Sequence, residues 1–191
     1  MTSNVSIRDI LDFWFLPLAD PDHGKPREVW WSGPPEFDAE IRERFSDAFE
    51  RAIDGAFDHW RHSPDGALAL ILLCDQFPRN MHRRSAHAFA GDAKAVETAR
   101  LALARSHPAA FNLTMRLFFF MPFQHSESLV DQELGCALFA AFEDEETMKH
   151  AIEHREIIAR FGRFPHRNDA LGRICTDEEL HYLKDGKRFG Q

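Results

Sequence analysis

The sequence predicts an all-α fold, a single domain spanning residues 1–191 and built from about eight stacked antiparallel helices. Three observations lead there. Apolar residues recur at three- and four-residue steps through almost every segment, and no stretch alternates with the two-residue period of a strand. Caps, prolines and glycines punctuate those segments at short intervals, without a linker or a shift in composition that would divide the chain.

Taken in order, Ser6 opens the first helix, with Asp9 three residues on in a capping-box arrangement. That helix carries Ile7, Ile10, Leu11 and Trp14 and ends by Pro17. Residues 19–35 hold Pro21, Pro26, Pro34 and Pro35 and read as loop, pinned to the body by Val29-Trp30-Trp31. A long amphipathic helix is expected over 36–61, where Ile41, Phe45, Phe49, Ala52, Ile53, Ala56, Phe57 and Trp60 share one face. Ser63 and Pro64 then restart the chain as N-cap and first helical residue. The helix they open is apolar all round, hence central, and is expected to end near residue 76. Further helices are expected over 92–106, over 112–121 with Pro122 as its stop, from a Ser126 cap to about residue 142, and over 145–161. Gly162 closes the last of these. Thr176 and Glu179 form a capping box for a final helix ending near residue 184.

Composition narrows the class. Hydrophobic residues make up 44% and charged residues 28%, a balance suited to a soluble globular protein. The net charge of -8 argues against a general nucleic-acid binder. The longest apolar runs, 67–74 and 117–123, are too short to span a membrane. Arg8, Asp9 and Asp12 interrupt the N-terminus before any export signal could form. Sequons at Asn4 and Asn112 therefore carry no weight. Cys74, Cys136 and Cys175 match no metal or redox spacing, and the first two read as small core residues. These features fit a cytoplasmic protein.

One phrase is written twice. Phe77-Pro78-Arg79-Asn80 follows the central apolar run, and Phe164-Pro165-His166-Arg167-Asn168 follows the 145–161 helix. Each copy is expected to end a helix and to present arginine and asparagine beyond it. Segment 75–84 carries Arg79, Arg83, Arg84 and His82 against one acid. Segment 160–173 carries Arg160, Arg163, Arg167, Arg173 and His166 against Asp169. Two basic islands in an acidic chain suit an anionic ligand, because a guanidinium grips carboxylate or phosphate bidentately. Arginines at helix ends also stabilise terminal carbonyls and pair with carboxylates, so a purely structural role stands beside the binding one. His125, next to Glu127 after the 118–123 apolar run, has the chemistry of a general base. Ser126 and Glu127 equally suit a plain helix start. His150 and His154 lie one helical turn apart, yet two ligands alone define no metal site.

The same residues carry a resemblance. Leu73-Cys74-Asp75-Gln76-Phe77-Pro78-Arg79-Asn80 with Ala88-Phe89-Ala90-Gly91-Asp92, then Met121-Pro122-Phe123-Gln124-His125-Ser126-Glu127, then 160–168 with Leu171-Gly172-Arg173 and Thr176-Asp177-Glu178-Glu179 resemble three ordered signatures. They are those of the uncharacterised bacterial family called domain of unknown function 924. Cys74, where leucine is expected, and Cys175, where serine is more usual, depart from the pattern. The resemblance implies an all-helical fold of the tetratricopeptide-like class and no established activity.

Three functional expectations follow. In the first, Arg79, Asn80, Arg163, His166, Arg167 and Asn168 line a pocket for a small anionic ligand, with His125 and Glu127 as acid–base residues and no cofactor or metal. In the second, the helices form a non-catalytic scaffold for an acidic peptide or protein partner. In the third, the arginines only stitch helix ends, which burial against Asp75 or Glu127 would favour.

Overall fold

The computed structural model describes residues 5–185, and no strand occurs among them. The first sequon residue, Asn4, lies outside the described residues. Helix α1 (Ile7–Phe15) starts at Ser6, whose side chain accepts from the Asp9 amide while Asp9 reaches back to the Ser6 amide. The loop after it contains a helical turn, α2 (Val29–Ser32). Only one tryptophan of that turn anchors it. Trp30 is buried against Trp14, with ring centres 5.7 Å apart, and its indole donates to the Trp14 carbonyl at 3.1 Å. Trp31 stays 59% exposed.

Helix α3 (Pro35–Ile53) is shorter than periodicity alone suggests. The chain turns at Gly55, whose φ of 92° belongs to the left-handed region that glycine enters without a Cβ penalty. A 3₁₀ turn (Asp58–His62) then folds Phe57 and Trp60 into a stack with ring centres 4.3 Å apart. Apolar spacing continues through this break because the 3₁₀ turn buries Trp60 on the same side.

The central helix differs more. Ser63 caps α4 (Pro64–Ile71) as expected. The chain then widens into one π turn (Leu72–Gln76) and continues as α5 (Phe77–Met81). The first Phe-Pro-Arg-Asn phrase is therefore inside a helix and not beyond its end. A wide turn just ahead of Pro78 makes room for the ring and for its missing N–H, which an unbroken α-helix would not. Every residue from Gly66 to Met81 is buried.

Helix α6 (Asp92–Ala104) packs on α4. Helix α7 (Leu113–His125) starts at Asn112, whose side chain accepts from the Met115 amide at 3.0 Å, and runs past Pro122. An interior proline costs about 3 kcal/mol, and packing against α8 (Leu129–Phe139) offsets it. Gly135 of α8 admits Phe123 closely, and Gln132 Nε2 donates to the terminal carbonyls of Gln124 and Ser126 at 2.7 Å each. Ser126 is consequently the end of α7. Ser128 precedes α8, and Ser126 Oγ donates to Asp131 at 2.7 Å. Helix α9 (Glu145–Phe161) is capped by Asp144 and closed by Gly162 at φ 68°. Helix α10 (Asp177–Asp185) begins with the expected box, Thr176 Oγ1 accepting from the Glu179 amide at 3.2 Å.

The core is aromatic and lies on both sides of α4. Trp14, Phe15, Phe45, Phe49, Phe77, Phe118, Phe119 and Phe123 are fully buried in it. A smaller cluster of Ile157, Ile158 and Phe164, with Phe161 and Tyr182 packed against it, seats the second copy of the repeated phrase.

Candidate functional site

The two copies meet at one carboxylate. Arg79 on α5 donates through Nη1 to Asp92 Oδ1 at 2.8 Å, and Arg167, in the 3₁₀ turn Pro165–Arg167, donates to Asp92 Oδ2 at 3.1 Å. A glycine makes this possible. A Cβ on Gly91 would lie 2.2 Å from the Cys74 carbonyl oxygen, so only glycine lets the start of α6 approach the π turn this closely. Phe89 completes the junction beneath both guanidiniums, 5.8 Å from that of Arg79 and 4.5 Å from that of Arg167.

The π turn supplies the second carboxylate. Asp75 is fully buried, accepts from His125 Nδ1 at 2.7 Å, and also accepts from the Gln76 amide. Arg79 lies 3.5 Å away and donates to the Asp75 carbonyl at 2.8 Å. Burial pushes the Asp75 carboxyl up, but His125 and Arg79 outweigh burial and hold it below the usual carboxylate range. Burial foremost, and then the Arg79 guanidinium, lower the His125 imidazole, with Asp75 opposing. The pair at neutral pH is therefore a carboxylate holding a neutral imidazole by its Nδ1–H, with Nε2 the nitrogen left to exchange a proton. Two guanidiniums, of Arg79 and Arg167, face two carboxylates, Asp75 and Asp92. Charge balance of this kind is what makes buried ionic groups tolerable.

Two more histidines stand close by. His154 on α9 donates its Nδ1–H to the His150 carbonyl at 2.7 Å and sits 6.5 Å from the His125 ring, centre to centre. Burial lowers it to about 3. His166 stacks near Phe164 and is likewise lowered to about 3, by burial first and then by Arg167. Both are neutral in the folded protein at neutral pH. Arg167 itself is pulled down to about 10 by burial and by the nearby Arg79.

A cavity of about 230 Å³ opens onto these groups, lined among others by Gln76, Arg79, Asn80, His125, His166 and Arg167. No carboxylate is among its lining residues. A second cavity of about 520 Å³ adjoins it and shares Trp31, Met121, His125 and His154. Leu117 and Phe139 line it together with Gln124, Glu146, Thr147 and His150.

Not every residue singled out in the sequence reaches the cavity. Arg79, Asn80, His125, His166 and Arg167 do. Arg163 turns away and grips Glu179 with two bonds, of 2.6 and 2.8 Å. Asn168 is fully buried and donates to Cys175 Sγ at 3.3 Å. Glu127 is not the partner of His125. Its carboxylate accepts from Arg173 at 2.7 and 2.9 Å and from the Phe164 amide at 2.8 Å, fixing the second copy in place. These three residues sit on the frame of the site. Asp75 is the partner of His125 that adjacency in sequence suggested Glu127 to be, and Asp92 holds the two arginines. Their signal was present, since each stands within a signature segment, but neither is next in sequence to His125, Arg79 or Arg167.

Fold and site together define a class: an all-α protein in which two Phe-Pro-containing segments bring buried arginines onto one shared carboxylate beside a His–Asp pair. The chain belongs to the family described as Bacterial protein of unknown function (DUF924), whose model matches residues 10–187. It is similar to the solved structure of a protein of unknown function, ATU0120, from Agrobacterium tumefaciens. The two chains are 40% identical with a TM-score of 0.83, over 94% of this chain and 97% of that one. No curated protein matches it. Among the described residues no helix is long and apolar enough to cross a membrane.

Proposed function

We propose that the cavity beside the two motif arginines binds a phosphate or carboxylate group, and that His125 is the acid–base residue next to it. The observation that carries this reading is the convergence of Arg79 and Arg167, from distant parts of the chain, on a cavity whose lining includes His125 and excludes every carboxylate. Asp75 and Asp92 bond the guanidiniums without lining it. Arg79 Nη2 and Arg167 Nε are buried donors with no protein partner. An anion between the two guanidiniums accepts from such donors and relieves the repulsion that helps depress Arg167. Asn80 and the neutral His166 add polar groups to orient it.

The adjoining cavity sets the remainder of the ligand. Trp31, Leu117, Met121 and Phe139 in its lining suit a compact aromatic or aliphatic body attached to the anionic group, as small-molecule sites commonly combine few polar anchors with an apolar surround. A second reading, the C-terminal carboxylate of an acidic peptide partner, is favoured by one observation: Trp31 lies at the edge of both cavities and is 59% exposed.

Thermal denaturation with phosphate, phenyl phosphate and benzoate tests the proposal. At a hundred times Kd a ligand stabilises by about 2.7 kcal/mol, which for a chain of this size raises Tm by roughly 5–10 °C. Arg167→Met removes the shift. If none of these anions moves Tm at millimolar concentration, the anion reading fails. Tight binding of acidic peptides with no response to small anions favours the second.

A further inference from the structure

A separate cluster lies outside the cavity, and no motif of the sequence pointed to it. Glu50 near the end of α3, His82 just after α5, and His87 in the 3₁₀ turn Ala86–Phe89 come from three elements, yet their ligand atoms lie within 4.8 Å of one another. We infer that Glu50, His82 and His87 form a binding site for a divalent transition-metal ion, zinc foremost, that fastens α3 to the segment following the first Phe-Pro-Arg-Asn phrase.

The donor set selects the metal. Two imidazoles and one carboxylate suit zinc, cobalt, nickel or copper, whereas magnesium and calcium prefer oxygen alone. Three protein ligands leave a fourth tetrahedral position for water. The geometry is already near what an ion requires. With metal–nitrogen bonds of ~2.0 Å, two imidazoles on one tetrahedral ion have ring centres roughly 5 Å apart. Those of His82 and His87 are 4.5 Å apart and tilted by 74°. His87 Nε2 and Glu50 Oε1 share a hydrogen bond of 2.6 Å, which need open only to about 3.3 Å for both to reach one ion.

A plain His–Glu pair would leave one fact without a reason. His82 Nε2 is buried beside that pair and has no hydrogen-bond partner. Such a nitrogen is costly to desolvate for nothing, and a metal ion would occupy it. Burial also favours the neutral, ligating imidazole of His82. One group opposes the ion. Arg42 on α3 donates to the Met81 carbonyl at 2.5 Å and lies near enough to His82 to depress it. Its charge weakens the expected affinity relative to a site with no cation nearby. Glu50 and His87 are both at least a third exposed at the side chain, so replacing either leaves the fold intact.

The test is calorimetric titration of the untagged, chelator-treated chain with zinc, together with visible absorption of the cobalt-loaded protein. One ion per chain is expected, with the intense bands of tetrahedral cobalt and a Tm raised by several degrees. His87→Ala and Glu50→Gln should each weaken zinc at least tenfold, and His150→Ala should leave it unchanged. Absence of binding in the wild-type chain overturns the inference. So does binding that survives His87→Ala, or that is lost in His150→Ala.

Discussion

Asp92→Asn isolates the charge on which the two repeated segments converge. The carboxylate bonds both Arg79 and Arg167, whose side chains are only 10% and 7% exposed, while its own is 19% exposed. Removing one partner of a buried ionic network costs about 3–5 kcal/mol, because the remaining charge stays buried without compensation. Partial exposure of Asp92 and the surviving amide oxygen place the expected loss at the lower end, about 3 kcal/mol, or a little over two decades in the unfolding equilibrium constant. Urea denaturation monitored by tryptophan fluorescence measures it. A double-mutant cycle sharpens the inference. In the Asp92→Asn background, Arg167→Met removes a charge that now repels Arg79, so it should cost less than in the wild-type chain and can even restore stability. A loss below about 1 kcal/mol, typical of a solvated surface pair, together with additive single effects, would refute the idea that the buried arginines are held by a shared carboxylate.

Two further outcomes follow from the titrating groups. His154 is lowered from 6.5 to about 3, so between those values the unfolded chain binds a proton that the folded chain refuses. The share of stability that rests on His154 is complete above pH 6.5 and declines as pH falls, by about 1.4 kcal/mol per unit, or roughly 2 kcal/mol at pH 5. His154→Gln should flatten the pH dependence by that amount in parallel urea titrations, and an unchanged slope would contradict it. Asp75→Asn removes the group that raises His125, so the imidazole should titrate lower than in the wild-type chain when followed by NMR. A rise would show that the two do not interact as described.

How much of this could be read from the chain alone depends on range. Local signals held where the partner sits within four residues, as at Ser6 with Asp9, Ser63 with Pro64, Gly162, and Thr176 with Glu179. They failed where tertiary contacts override a local rule. Pro78 and Pro122 read as helix stops, yet a π turn accommodates one and packing of α7 on α8 carries the other. At the site, the likeness of the two copies was informative for Arg79 and Arg167 and misleading for their neighbours. Asn80 donates to Asp38 at 2.7 Å and lines the cavity, whereas Asn168 is fully buried and does not line it. The two phrases are alike in letters but stand on an α-helix and a 3₁₀ turn, so only the arginines end up in comparable places. Arg79 is buried beside Asp75 and also lines the cavity, whereas Arg173, which pairs with Glu127, is 24% exposed. A structural and a binding role are thus compatible in one residue.

The most direct test of the central proposal is a crystal structure of the protein grown with tungstate, a heavy tetrahedral analogue of phosphate, and read by its anomalous signal. The proposal predicts a peak in the cavity within hydrogen-bonding distance of both Arg79 and Arg167, absent from crystals of Arg167→Met grown in the same way. Tungstate bound only at surface sites, with the cavity clear of it, would contradict the account.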